Sequence, residues 1–252
     1  MRVVGLISGG KDSCFNLMKC VENGHEIVAL ANIYPETEDK DELDSFMFQT
    51  VGHMGIEMIA KAMELPLFRR KTKGQTTQTS NDYSLKKESK EEEVEDLYEL
   101  LKTIKSEIDY EGVSVGAILS NYQNNRVGNV CSRLNLTPLA FLWERDQSEL
   151  LNEMIESDID AILIKVAALG LVPEKHLGKT LKEMEPYLTK MKDKFGLNVC
   201  GEGGEYETFT LNCPLFKKRI SVIESKMVIV SEDNVCSVGY LNFVKMELLD
   251  KE

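Results

Sequence analysis

Residues Ser8-Gly9-Gly10-Lys11-Asp12-Ser13 combine two hydroxyls, two glycines, a cation and a carboxylate in one short stretch. They follow the apolar run Val3-Val4-Gly5-Leu6-Ile7 and precede Cys14, Leu17, Met18 and Val21, which recur at helical spacing. A strand, a glycine turn and a helix start in that order leave backbone N–H groups facing an anion. The glycines let the backbone approach it closely. The chemistry expected is phosphate binding. Gly5, Gly10 and Lys11 fit the G-x-x-x-x-G-K spacing of a Walker A loop, but Asp12 stands where that loop needs Ser or Thr for magnesium.

A second dense stretch is Gly201-Glu202-Gly203-Gly204-Glu205-Tyr206-Glu207-Thr208-Phe209. Three carboxylates this close repel one another and raise the pKa of at least one unless a cation neutralises them. Magnesium, ammonium or a cationic substrate group would each do so, and an exposed acidic turn is the alternative. Alternation would put Glu205 and Glu207 on one face of an extended segment, with Glu202 in the turn. Ser120, Asn121 and Gln123 can donate to a base or ribose, and Arg126 can pair with a phosphate; a polar loop capping a helix is the competing account. The stretch Glu42 to His53 offers aromatics for stacking and one imidazole that titrates near neutrality, although a lone histidine is more often structural. Lys165, inside Ile-Leu-Ile-Lys-Val, needs a partner or an edge-strand route to water, and His176 to Lys179 would add positive charge nearby.

These residues need elements to position them. Strands are expected at His25–Tyr34, Pro66–Phe68, Val113–Leu119 and Pro138–Phe141. Helical faces are expected from Ile56, Ile59, Ala60 and Met63, from Val94 to Ile108, and from Val127 to Leu134. Alternating strands and helices imply an α/β fold, a parallel sheet with helices on both faces, and ligands at the carboxyl ends of the strands. Beyond that, helices at Leu150–Ile155 and Leu181–Met191 are joined by strands that cluster at the C-terminus. A boundary near Phe141–Asp146 divides the chain into 1–143, which holds the phosphate-binding stretch, and 144–252, a smaller α/β domain that holds the acidic stretch. The polar run Thr72–Glu93 reads as a solvated loop.

Composition narrows the class. The chain has 252 residues, 30 Lys and Arg against 42 Asp and Glu, and a net charge of −12. That balance counts against nucleic acid, whose binding depends on neutralising phosphates. The six cysteines form no C-x-x-C pair and no zinc spacing. No apolar run reaches about 18 residues and the start lacks a signal-peptide pattern, so a cytoplasmic protein with free thiols, away from membranes, is expected.

The hexapeptide Ser8–Ser13 resembles the SGGxDS pyrophosphate loop (PP-loop) of the N-type ATP pyrophosphatases, which cut ATP between the α and β phosphates. With Glu42–His53, Val94–Tyr98, Ser120–Arg126, Lys165–Leu171 and Cys200–Phe209, the chain resembles the diphthine–ammonia ligase (diphthamide synthetase) family along nearly its whole length. The resemblance implies a Rossmann-like, HUP-type N-terminal half and an activity, ATP-dependent amidation of diphthine on translation elongation factor two. An acyl-adenylate, AMP and pyrophosphate are implied, with free ammonium as nitrogen donor. It implies ATP contacts at Ser8, Gly9, Gly10, Lys11, Asp12, Ser13, Ala31, Asn32, Ser120, Asn121 and Arg126, with Lys11 and Asp12 catalytic and Asp12 on magnesium. Substrate contacts are implied at Gln49, His53, Glu202, Gly203, Gly204, Glu205, Tyr206, Glu207 and Thr208; the acids and the Tyr206 ring would suit the quaternary ammonium of diphthine. Ending at Glu252 without the added C-terminal domains of larger fungal relatives, the chain resembles the short form. Replacing Lys11 or Asp12 by Ala is expected to abolish adenylation and leave the fold intact. A tRNA-modifying adenylating enzyme and a non-catalytic nucleotide sensor stay open as alternatives, although the Lys11-Asp12 pair argues for turnover.

Overall fold

In the first half, strands β1 (Arg2–Leu6), β2 (Glu26–Pro35), β3 (Leu67–Thr72), β4 (Gly112–Ser114) and β5 (Thr137–Leu139) alternate with helices α1 (Lys11–Glu22), α2 (Ile56–Met63), α3 (Glu93–Glu107) and α4 (Asn121–Leu134). The computed structural model describes residues 1–35, 51–72, 83, 92–231 and 236–251. The strands form a parallel sheet in the order β3-β2-β1-β4-β5. The order reverses beside β1, so the crevice of the sheet opens between the carboxyl ends of β1 and β4. Alternation along the strands divides the core. Val4, Ala29, Ala31 and Ile33 pack with α3 and α4, whereas Leu30 packs with Phe15, Leu17, Ile56 and Ile59 of α1 and α2.

The second half contains α5 (Gln147–Glu156), β6 (Asp160–Val166), α6 (Pro173–His176), α7 (Leu181–Phe195), β7 (Tyr206–Asn212), β8 (Lys218–Ser231) and β9 (Val238–Asp250). Its four strands form an antiparallel sheet in the order β7-β6-β9-β8. Helices start where side chains accept first-turn N–H groups: Ser120 at α4, Asp146 at α5, and a Thr180–Glu183 capping box at α7. The apolar face of this half shares one continuous core with α1 and α2, including Phe15, Ile56, Ile164, Phe209 and Phe243.

Two sequence expectations change. The strand expected over Val113–Leu119 pairs only as far as Ser114. There the chain turns flush against the start of α1, where a Cβ built on Gly116 would lie 2.8 Å from the Ser13 nitrogen. Lys165 is not on an edge strand: β6 lies between β7 and β9, and Lys165 is partnered by Glu207 at 3.3 Å. The loop expected over Thr72–Glu93 falls largely outside the described residues.

Candidate active site

The Ser8–Ser13 loop joins the end of β1 to the start of α1. Gly9 sits at φ +89, a left-handed conformation that favours glycine, and a Cβ there would approach Ile56 and Phe209 to 3.1 Å. The loop braces itself. Ser13 Oγ donates to the Gly10 carbonyl at 2.9 Å, and the Gly10 N–H donates to Ser8 Oγ at 3.4 Å. Gly10 is the N-cap of α1 and brings no side-chain cap.

In that crevice lies a cavity of about 520 Å³, a size suited to a small-molecule ligand. Its polar lining includes Ser8, Lys11, Asp12, Ser13, Ser120, Glu202, Glu207 and Thr208. Ala31 and Asn32 of β2 also line it, as do the apolar side chains of Leu97, Leu100, Val115, Ala117 and Val127. Polar and apolar side chains therefore share one cavity, as a ligand with a charged part and an apolar part would require. The apolar lining is not legible in the sequence because Leu97, Leu100 and Val127 also sit at core spacing on α3 and α4, and Val115 and Ala117 continue the apolar pattern of β4. Gln123, which the sequence offers as a donor to a base or ribose, does line the cavity; the contact of Gly116 that seats the loop has no signal in the sequence.

Lys11 is almost fully buried. Its Nζ donates to Asp12 Oδ2 at 2.8 Å and to the Cys200 carbonyl at 2.5 Å, and lies 5.3 Å from the Tyr206 ring centroid. Burial alone would lower its pKa, but Asp12, then Tyr206 and Cys200, hold it well above the ordinary lysine value, so the cation persists. Asp12 Oδ1 is buried with no hydrogen-bond partner among the described residues.

The acidic block is arranged differently from the expectation of a crowded trio. Glu202 faces the cavity and accepts the Leu119 N–H at 3.3 Å; burial and then Asp12 raise its pKa. Glu205 does not line the cavity: its carboxylate accepts the Asn198 N–H at 2.6 Å. Glu207 lines the cavity and pairs with Lys165. Each carboxylate has its own neighbour, which removes the mutual repulsion. Gly201, Gly203 and Gly204 hold φ of +78, +77 and +79, and these turns send the three acids in separate directions. The Tyr206 hydroxyl donates to the Val199 carbonyl at 2.5 Å and its ring faces Lys11, so it is not an open aromatic face for a substrate cation.

Several expected contacts lie elsewhere. Arg126 is fully buried, its guanidinium 3.3 Å from the Tyr122 ring centroid, and it is not part of the cavity lining. Asn121 is exposed in the first turn of α4 and is absent from the lining too. His53 is buried beside Tyr34 and borders a separate small cleft with Tyr240 and Phe243. His176 accepts the Val172 N–H through Nδ1 at 2.8 Å and takes no part in the cavity. Gln49 lies outside the described residues. Asn32 is engaged by the protein, its amide donating to the Ile7 carbonyl at 2.9 Å and accepting from Arg69 at 3.1 Å.

The model of the diphthamide synthase N-terminal domain matches residues 1–138, and that of the diphthamide synthase C-terminal domain matches residues 146–243. A diphthine–ammonia ligase of Mus musculus is 59% identical over 253 aligned residues, covering 100% of this chain and 94% of the relative. The diphthine–ammonia ligase of Schizosaccharomyces pombe is 55% identical over 94% of this chain, which spans 38% of that longer protein. Among solved structures, a predicted subunit of tRNA methyltransferase from Methanocaldococcus jannaschii aligns at 14% identity and a TM-score of 0.36, covering 85% of this chain and 98% of that one. Matched over both halves and at high identity along its whole length, the chain belongs to the diphthamide synthase family.

Proposed function

We propose that the chain is an AMP-forming C–N ligase that converts diphthine to diphthamide with ATP and ammonium, and that its protein substrate is translation elongation factor two. The observation that carries this is the single cavity bounded by the Ser8–Ser13 loop on one side and the Glu202–Thr208 segment on the other. The loop belongs to the nucleotide half and the segment to the other half, so ATP and the acceptor carboxylate meet between them.

The chemistry follows from that placement. The α1 N-terminus and the Lys11 cation hold the β and γ phosphates and stabilise the charge that builds on departing pyrophosphate. The diphthine carboxylate attacks the α phosphorus, and the bond between that phosphorus and the bridging oxygen to the β phosphate breaks. Ammonia then displaces AMP from the activated carbonyl. The apolar lining from Leu97, Leu100, Val115, Ala117 and Val127 receives the adenine. Glu202, inside the cavity, and Glu207, held by Lys165, are the acids placed to meet a cationic substrate group.

A magnesium ion fits one residue. Among the described residues no group of three His, Cys, Asp or Glu side chains could hold a metal unaided, but the unpartnered Asp12 Oδ1 suits an ion that takes one carboxylate plus phosphate oxygens. When bound there it supplies charge neutralisation on the triphosphate. The reading places the protein in the cytoplasm, in keeping with free cysteines and with the absence, among the described residues, of any helix long and apolar enough to cross a membrane.

The test is incubation with diphthine-bearing elongation factor, ATP and ammonium, followed by mass analysis. Conversion of the acid to the amide, with AMP released in equal amount, is the expected result. Unchanged diphthine, with AMP formed only when tRNA is added, would overturn the reading.

A further inference from the structure

β7 is the outer strand of the antiparallel sheet, paired along one side with β6. Its other side meets the phosphate loop. The Thr210 N–H donates to the Gly9 carbonyl at 2.8 Å. The Lys11 N–H donates to Thr208 Oγ1 at 3.0 Å, across 197 residues of sequence. Between these two bonds, the fully buried Phe209 ring fills the space beside Gly9 and Gly55 that a side chain at either glycine would need.

An N-cap side chain serves the second or third N–H of its helix and leaves the first, here that of Lys11, to another acceptor. Gly10 has no such side chain. We propose that Thr208 is a positioning residue for nucleotide binding: its hydroxyl takes the first N–H of α1, and with the Thr210–Gly9 bond it fixes the loop so that the other first-turn N–H groups of α1 aim at the tail phosphates. In this assignment Thr208 acts on the loop and not on diphthine, and the second half of the chain completes the nucleotide site. The inference rests on the nucleotide reading given above.

The test is calorimetric binding of MgATP and of AMP to the full chain in three forms: unaltered, Thr208→Val and Thr208→Ser. Valine keeps the shape and removes the acceptor, leaving a buried N–H unsatisfied, so MgATP affinity falls about tenfold or more. AMP, which has no tail phosphates for the loop to hold, binds the valine form as it binds the unaltered chain. Serine retains the hydroxyl and restores MgATP affinity. A fold-only role would instead lower melting temperature and active fraction while leaving both affinities unchanged. Equal MgATP affinity in the valine form, equal losses for MgATP and AMP, or a serine form as weak as valine would each overturn the assignment. If the valine form does not fold, the serine form decides, because it must bind MgATP like the unaltered chain. An unaltered chain that binds no MgATP sinks the nucleotide reading itself, a separate outcome.

Discussion

Lys11 and Asp12 carry different burdens although they are adjacent. Asp12 keeps one oxygen on Lys11 and presents the other, buried and unpartnered, at the loop. Asp12→Asn preserves shape and removes the charge, so pyrophosphate release should fall by about 100-fold or more, with circular dichroism unchanged. Lys11 is also a structural ion, held by the Cys200 carbonyl of the second half. Lys11→Ala should therefore abolish turnover and also lower stability by about 1–3 kcal/mol in urea titration, because it takes the donor from the buried Cys200 carbonyl. That departs from the expectation that the fold would be untouched. The sequence reveals the residue types of the loop, since glycine, hydroxyl and lysine after an apolar run have few other uses. It does not reveal that Glu205 turns to Asn198 and Glu207 to Lys165, because those pairings depend on three left-handed glycines and on a strand neighbour dozens of residues away.

At the scale of elements, packing around the loop matters as much as the loop itself. Asn16 of α1 donates to Ser114 Oγ at 2.7 Å and to the Leu139 carbonyl at 2.8 Å, and accepts the Phe141 N–H at 2.8 Å, tying the helix to the ends of β4 and β5. Gly116 then rests on the first turn of α1. Gly116→Ala should push that turn away and weaken ATP binding more than it lowers the melting temperature; calorimetry on the variant separates the two. On the other face, α3 and α4 are joined by Glu95 and Arg133 through two bonds of 2.7 and 2.8 Å, with the Tyr83 hydroxyl also donating to Glu95 at 2.8 Å. Burial pushes the Glu95 carboxyl up, but Arg133 and Tyr83 outweigh it and hold it below the ordinary 4.5. A depressed carboxyl stabilises the fold above its unfolded pKa and loses that contribution as pH falls through its folded value. Arg133→Met should thus cost about 1 kcal/mol at pH 7, a gap that closes as the buffer is taken well below 4.5. Helix and strand order were legible from periodicity. The shortness of β4 was not, because Val115, Ala117 and Ile118 keep an apolar pattern after the ladder ends.

For the whole molecule, the two sheets are separate but the core is not. Phe209 of β7 meets Phe243 edge-on at 4.9 Å between centroids and lies in one cluster with Phe15 and Ile56 of the first half. Phe209→Ala should cost about 3–5 kcal/mol and loosen both halves together, seen as a single calorimetric transition shifted down. We place the domain division at 143/144, and expect a fragment covering 1–143 to expose the α1–α2 face and to fail to bind ATP. The second half holds the Ser8–Ser13 loop in place through Thr208 and Thr210. The account stands most directly on where the nucleotide is cut. With ATP labelled at the α or the γ phosphorus and diphthine-bearing factor present, the α label should appear in AMP and the γ label in pyrophosphate. Label recovered as ADP and orthophosphate would contradict it.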